Sequence, residues 1–274
     1  MKPFAAAAML AMATLLPATS ALAQAAPAFK MVNPGQLTVA YRTDDKPVSF
    51  IDESGKPAGF LVDFENAIGA DLGIKIEYIA TDFASMVPSI RNNRYDTAAF
   101  QTLVTPERSA VVDFTTALTY SQARLVTRKE APIEKVDGAS GKSVAITRGS
   151  ALIPQLQQIA PGVTVREFPN IAASLNALLA GQVDGLFTGL STASHLVNDH
   201  QELTASQIVT TGTSAFPVSK DNPELTKALN ASIDKLMKDG TYTRLYVKWF
   251  ADDVEIPDQL YADYPGMPHP EDLK

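Results

Sequence analysis

Apolar residues along this chain follow two alternating spacings. Leu37-Thr38-Val39-Ala40-Tyr41 and Lys75-Ile76-Glu77-Tyr78-Ile79 are short runs of strand length, whereas Leu61, Phe64, Ile68 and Leu72 fall at helical spacing between Gly59 and a stop at Gly73. Asp82 caps a second predicted helix carrying Phe83, Met86, Val87 and Ile90, and residues 95–100 form a third strand. Strand, helix, strand, helix, strand implies a mostly parallel sheet with helices on its faces.

The same order then restarts. Ser143-Val144-Ala145-Ile146-Thr147 is a strand, Gly149-Ser150 a turn into a helix, Thr164-Val165-Arg166-Glu167-Phe168 a strand, and residues 172–180 a helix with Leu175, Leu178 and Leu179. Two α/β lobes are indicated. Asn222-Pro223 opens a helix with Leu225, Leu229, Ile233 and Leu236 on one stripe, and Thr241 opens another with Leu245 and Trp249 inward. These helices have no sheet of their own and are expected to pack on the first lobe. Two strands must then cross between lobes, near residues 120–124 and 214–218. The resulting division places the first lobe at residues 36–121 plus 218–250 and the second at residues 122–217. Residues 251–274, rich in Asp, Tyr and Pro, are expected to lie loosely on the surface.

The first 23 residues read differently. Lys2, an apolar stretch over residues 4–16 and Ala21-Leu22-Ala23 form the pattern of a secretory signal peptide, too short for a membrane span. The formal net charge of −7 argues against nonspecific nucleic-acid binding, which needs basic patches. With no cysteine, disulfides, thiolate metal sites, a cysteine nucleophile and a lipidated N-terminal Cys are all excluded. His195, His200 and His269 form no metal-ligand spacing with acids, so neither metal nor cofactor is expected.

One stretch carries candidate chemistry. In Thr105-Pro106-Glu107-Arg108, Thr can cap and Pro suits the first helical position, so Arg108 stands in a helix's first turn just beyond a strand's carboxyl end. A guanidinium fork there suits a carboxylate held by paired hydrogen bonds.

The sequence resembles the type 3 extracellular solute-binding proteins that serve ABC importers of polar amino acids. The resemblance rests on an ordered set of stretches: Gly59-Phe60-Leu61-Val62-Asp63-Phe64 after Gly55-Lys56-Pro57-Ala58, Val87-Pro88-Ser89-Ile90, Tyr95-Asp96, Thr105-Pro106-Glu107-Arg108 with Val112-Asp113-Phe114, Gly181-Gln182-Val183-Asp184, and Asp239-Gly240-Thr241-Tyr242 leading to Lys248-Trp249-Phe250. It implies a two-lobed periplasmic clamp with a two-strand hinge, a monomer that delivers a small carboxylate-bearing ligand to membrane permease subunits. By the same resemblance Arg108 holds the ligand's α-carboxylate, Gly149 and Ser150 cap that carboxylate from the second lobe, and Phe83 walls the side chain.

Departures from the family pattern are equally specific. The family's Asp for an α-ammonium falls at Gly189, its first cleft aromatic at Asp45, its second at Val48, and a usual hydroxyl residue at Leu103, beside Gln101. Either the ligand lacks an ammonium, or another acid, Asp45 or after it Asp44, supplies the charge. Arg42 and Arg148, if they face the cleft, add positive charge suited to an anion. The resemblance also covers exported cyclohexadienyl dehydratases, for which Asp45 or Glu107 would be the general acid, and ligand-sensing partners of membrane receptors. No nucleophile elbow or triad spacing supports other hydrolytic chemistry.

Overall fold

The computed structural model describes residues 29–250 and 254–273. The expected signal peptide over residues 1–23 lies outside the described residues. In the first lobe the strands Lys75–Ala80, Gln36–Tyr41 and Thr97–Ala99 lie side by side in that order, all parallel. Helix α1 (Phe60–Leu72) starts at Gly59, whose φ of 119° and close approach to the Val48 carbonyl leave no room for a side chain. It ends at Gly73 in the left-handed region, as the spacing predicts. Leu61, Phe64 and Ile68 are buried on its inner face. Helix α2 (Phe83–Arg91) is capped by Asp82, which accepts from the Ser85 amide, and the single turn α3 (Pro106–Ser109) by Thr105, which accepts from the Arg108 amide at 3.3 Å.

The second lobe holds a six-stranded sheet. Thr164–Phe168, Ser143–Thr147 and Gly185–Gly189 are parallel, but Thr119–Arg128 runs antiparallel to Gly185–Gly189, Leu203–Ala205 and Val209–Ser214. The mostly parallel sheet expected here is therefore a mixed one. The reason is connectivity: the chain arriving from the first lobe starts its strand at the cleft edge, where the βα strands end. Thr119–Arg128 and Val209–Ser214 pair across the crossing, with Ser214 opposite Thr119, and form the two-strand hinge. Helices α4 (Leu152–Ile159), α5 (Ile171–Leu179) and α6 (Leu190–Asp199) cover this sheet. No apolar stripe announces α6, because Ser191, Thr192 and Ser194 are buried beside Leu190, Ala193 and Leu196.

Helices α7 (Pro223–Lys238) and α8 (Thr241–Trp249) pack on α1 and enlarge the first-lobe core. The predicted stripe Leu225, Leu229, Ile233 and Leu236 is buried. On α8 the most buried residues are Tyr242, Thr243 and Tyr246, whereas Leu245 and Trp249 are half-buried; the Tyr242 hydroxyl donates to the Leu118 carbonyl at 2.7 Å. The tail corrects the expectation of loose packing. Helix α9 (Asp258–Asp263) and the residues after it place Leu260, Tyr264 and Met267 in the same core. These three stand at i, i+4 and i+7, an apolar edge hidden among prolines and acids. Tyr264 donates to the Ala117 carbonyl at 2.6 Å, and Tyr120 donates to Asp263 at 2.7 Å, so the tail also reaches the hinge.

Candidate functional site

Between the lobes lies a cavity of about 70 Å³, with room for roughly half a dozen water-sized groups. First-lobe residues Arg42, Asp45, Phe83, Gln101, Leu103 and Arg108 face Ser150, Gly189, Thr147 and Thr192 from the second lobe. Thr147 and Gly189 end their strands, so the cavity opens at the carboxyl ends of the second sheet, where an open α/β sheet leaves its ligand crevice.

Arg108 is held in three ways. Its Nη1 donates to the Leu103 carbonyl at 2.9 Å, its Nη2 donates across the cleft to the Gly149 carbonyl at 3.1 Å, and its guanidinium carbon sits 5.4 Å from the Phe83 ring centre. No carboxylate lies within ion-pair distance of it among the described residues, and the exposed Glu107 beside it in the chain supplies a smaller attraction than the cost of burial. Burial lowers its pKa, but a guanidinium stays charged at any physiological pH.

The acid partner belongs to a neighbouring arginine. Asp45 Oδ2 accepts from Arg42 Nη1 at 3.1 Å, and its Oδ1 accepts from the Thr192 hydroxyl at 2.7 Å across the lobes. Burial outweighs the attraction of Arg42 and raises the Asp45 pKa. Asp44 lies 3.5 Å from Arg42 Nη2 and accepts from the Ala172 amide, in the first turn of α5, at 3.1 Å. Both acids considered as stand-ins for the missing Asp are thus engaged already, by a cation and by the opposite lobe. Among the described residues, hydrogen bonds from Arg108, Thr192 and Ala172 cross the cleft and tie the two lobes together.

The other residues singled out from sequence fall unevenly. Gly149 has φ 76°, and a Cβ on it would meet the Ala84 Cα of α2 at 2.9 Å, so the second lobe touches α2 through a position only glycine fills. The Ser150 amide donates to the Thr147 carbonyl at 3.1 Å and its hydroxyl accepts from the Leu152 amide at 3.2 Å. A free amide nest at Ser150 is therefore replaced by a turn, and only the hydroxyl proton remains to offer. Gly189 lines the cavity, and an ideal Cβ there would lie 3.5 Å from Gln101 Oε1. Arg148 is exposed and does not line the cavity. Glu107 is fully exposed, and hydrogen bonds to its own amide and to Thr105 lower its pKa, the reverse of a general acid held protonated.

The family model for bacterial extracellular solute-binding proteins, family 3, matches residues 37–252. The chain belongs to that family. Among its relatives, the L-cystine-binding protein TcyJ of Escherichia coli (strain K12) is 29% identical over 229 residues, covering 82% of this chain and 86% of that protein. Among solved structures, an ancestral arginine-binding protein bound to glutamine superposes with a TM-score of 0.76 at 29% identity, covering 80% of this chain and 99% of the other. An ancestral amino acid-binding protein described as a precursor of cyclohexadienyl dehydratase gives 0.74 at 26% identity, covering 79% and 96%.

Sequence reasoning missed Thr147 and Thr192 in this family 3 cleft and placed Arg42 there only conditionally. Thr147 Oγ1 and Arg42 Nη2 are buried without a hydrogen-bond partner. A buried polar atom left in that state costs on the order of 1–3 kcal/mol, which a ligand oxygen would relieve. Thr147 could have been found as the last residue of a predicted strand at the crevice. Thr192 could not, since α6 leaves little trace in the pattern.

Proposed function

We propose that this protein is the periplasmic substrate-binding component of an ABC importer, a monomer that captures a small carboxylate-bearing solute by hinge closure and passes it to membrane permease subunits. The observation that carries this is Arg108: a guanidinium with no carboxylate at ion-pair distance among the described residues, set over Phe83 in the cavity between the two lobes. The cavity lining contributes Arg42, which Asp45 and Asp44 already face, and Arg108, which no acid pairs among the described residues, while Asp45 is raised in pKa and engaged by Arg42 and Thr192. Such a balance favours a ligand of net negative charge over a zwitterion, because an ammonium would be buried without a free acid. A ligand touching Arg108 on one lobe and Ser150 or Thr147 on the other favours the closed state through contacts the open state lacks.

Thermal-shift and calorimetric titration of the exported protein against α-amino acids, their deaminated acids and dicarboxylates tests this. Arg108→Ala is expected to weaken the best ligand by roughly 3–5 kcal/mol, the scale for removing one partner of a buried ion pair. A loss below about tenfold, or ~1.4 kcal/mol, removes Arg108 from the site. A second reading, a dehydratase of cyclohexadienyl acids, rests on the buried, pKa-raised Asp45 beside the cleft arginines. Product formation from such an acid, lost in Asp45→Asn, would decide for it.

A further inference from the structure

Toward the hinge the ligand cavity shares a wall with a second, apolar one of about 40 Å³. Gln101 and Gln122 line both. Phe60, Phe100, Leu118, Leu190, Tyr246 and Phe250 surround the rest, so the space is bounded by both lobes and by α8. Among its described lining residues only Glu255 carries a formal charge, and that residue is exposed, its carboxylate in water. Unfilled apolar space forfeits dispersion contacts on every wall, and carbon atoms of a ligand would restore them.

The Gln101 amide nitrogen makes a long 3.4 Å bond to Ser121 Oγ, and its oxygen faces the place where Gly189 has no side chain. A ligand that displaces this half-buried side chain would pass from one space toward the other. On the carboxylate reading of Arg108, on which this inference rests, the ligand's far end then has a defined destination. We propose that the hinge cavity receives the ligand's tail, and that the ligand is a monocarboxylate with an uncharged hydrophobic chain running past Gly189 and Gln101. A second carboxylate would meet no cation among the described lining residues.

Calorimetric titration with ethanoate through hexanoate, and with the 2-amino counterparts of the same acids, tests the tail pocket. Affinity is expected to rise about fourfold for each methylene that enters the cavity. Val48→Phe and Leu190→Phe, which fill the cavity from the two lobes, are each expected to abolish the rise, with a cooperative melting transition showing that the variant is folded. Equal affinity for short and long acids overturns the tail pocket alone and leaves the carboxylate site standing. So does a rise that survives both filling variants, or tighter binding of 5-aminopentanoate than of pentanoate. If no acid of any length binds, the Arg108 reading fails and the tail pocket falls with it.

Discussion

Glu65 offers a test of the fold's electrostatics that is independent of ligand. It sits on the inner face of α1 with no solvent exposure, and neither of its carboxyl oxygens has a hydrogen-bond partner. Burial pushes its pKa up from 4.5 to about 8. The unfolded chain releases this proton near 4.5 while the folded chain keeps it to about 8. Between those values the folded state binds more protons, so the contribution of Glu65 to stability is fully present below pH 4.5, falls as pH rises, and levels off above pH 8. At about 1.4 kcal/mol per pH unit the loss is roughly 3 kcal/mol by pH 7 and about 5 kcal/mol in full. Glu65→Gln keeps the shape and removes the titration. Urea unfolding followed by circular dichroism should find the variant within about 1 kcal/mol of the parent at pH 5, since each then buries a neutral polar group. At pH 7 the variant should be more stable by about 3 kcal/mol. A difference that stays constant from pH 5 to pH 8 would refute the reasoning, because it would mean that Glu65 does not hold its proton in the fold.

Further outcomes follow from the cleft and the tail. Gly149→Ala places a Cβ 2.9 Å from the Ala84 Cα and strains a φ of 76°, so it should weaken ligand binding at least tenfold while the lobes stay folded; small-angle scattering should show an opened molecule even with ligand present. A Cβ at Gly189 meets only ordinary contacts, 3.5 Å to Gln101 Oε1 and 4.0 Å to the Gln122 carbonyl, so Gly189→Asp is expected to shift preference toward 2-amino acids by about tenfold, read as a ratio of dissociation constants against the deaminated acids. Leu260→Ala should cost about 2–5 kcal/mol in urea unfolding, as for any large core residue; a change under about 0.5 kcal/mol would mean the tail does not dock in solution.

The lobes, most helices and the position of Arg108 were legible in the residues because they rest on short-range rules. Periodicity placed α1 and α7. Asp82 and Thr105 cap helices through amides three residues away, and Gly73 stops one through its own backbone freedom. Those rules placed the guanidinium in a helix's first turn and the second lobe's Gly149-Ser150 turn at a strand end. What the residues around each site could not convey is who stands opposite. Asp45 meets Thr192 147 positions along the chain, and Asp44 meets the Ala172 amide 128 positions away. Those contacts turn two acids suspected of serving a ligand into part of a closed clamp. The packing of Leu260, Tyr264 and Met267, the burial of Glu65 and the apolar cavity beside Gln101 are of the same kind. Local pattern determined where each side chain sits on its own element. Only tertiary packing, within the first lobe for Glu65 and the tail and between the two lobes for the cleft, decided what each one faces.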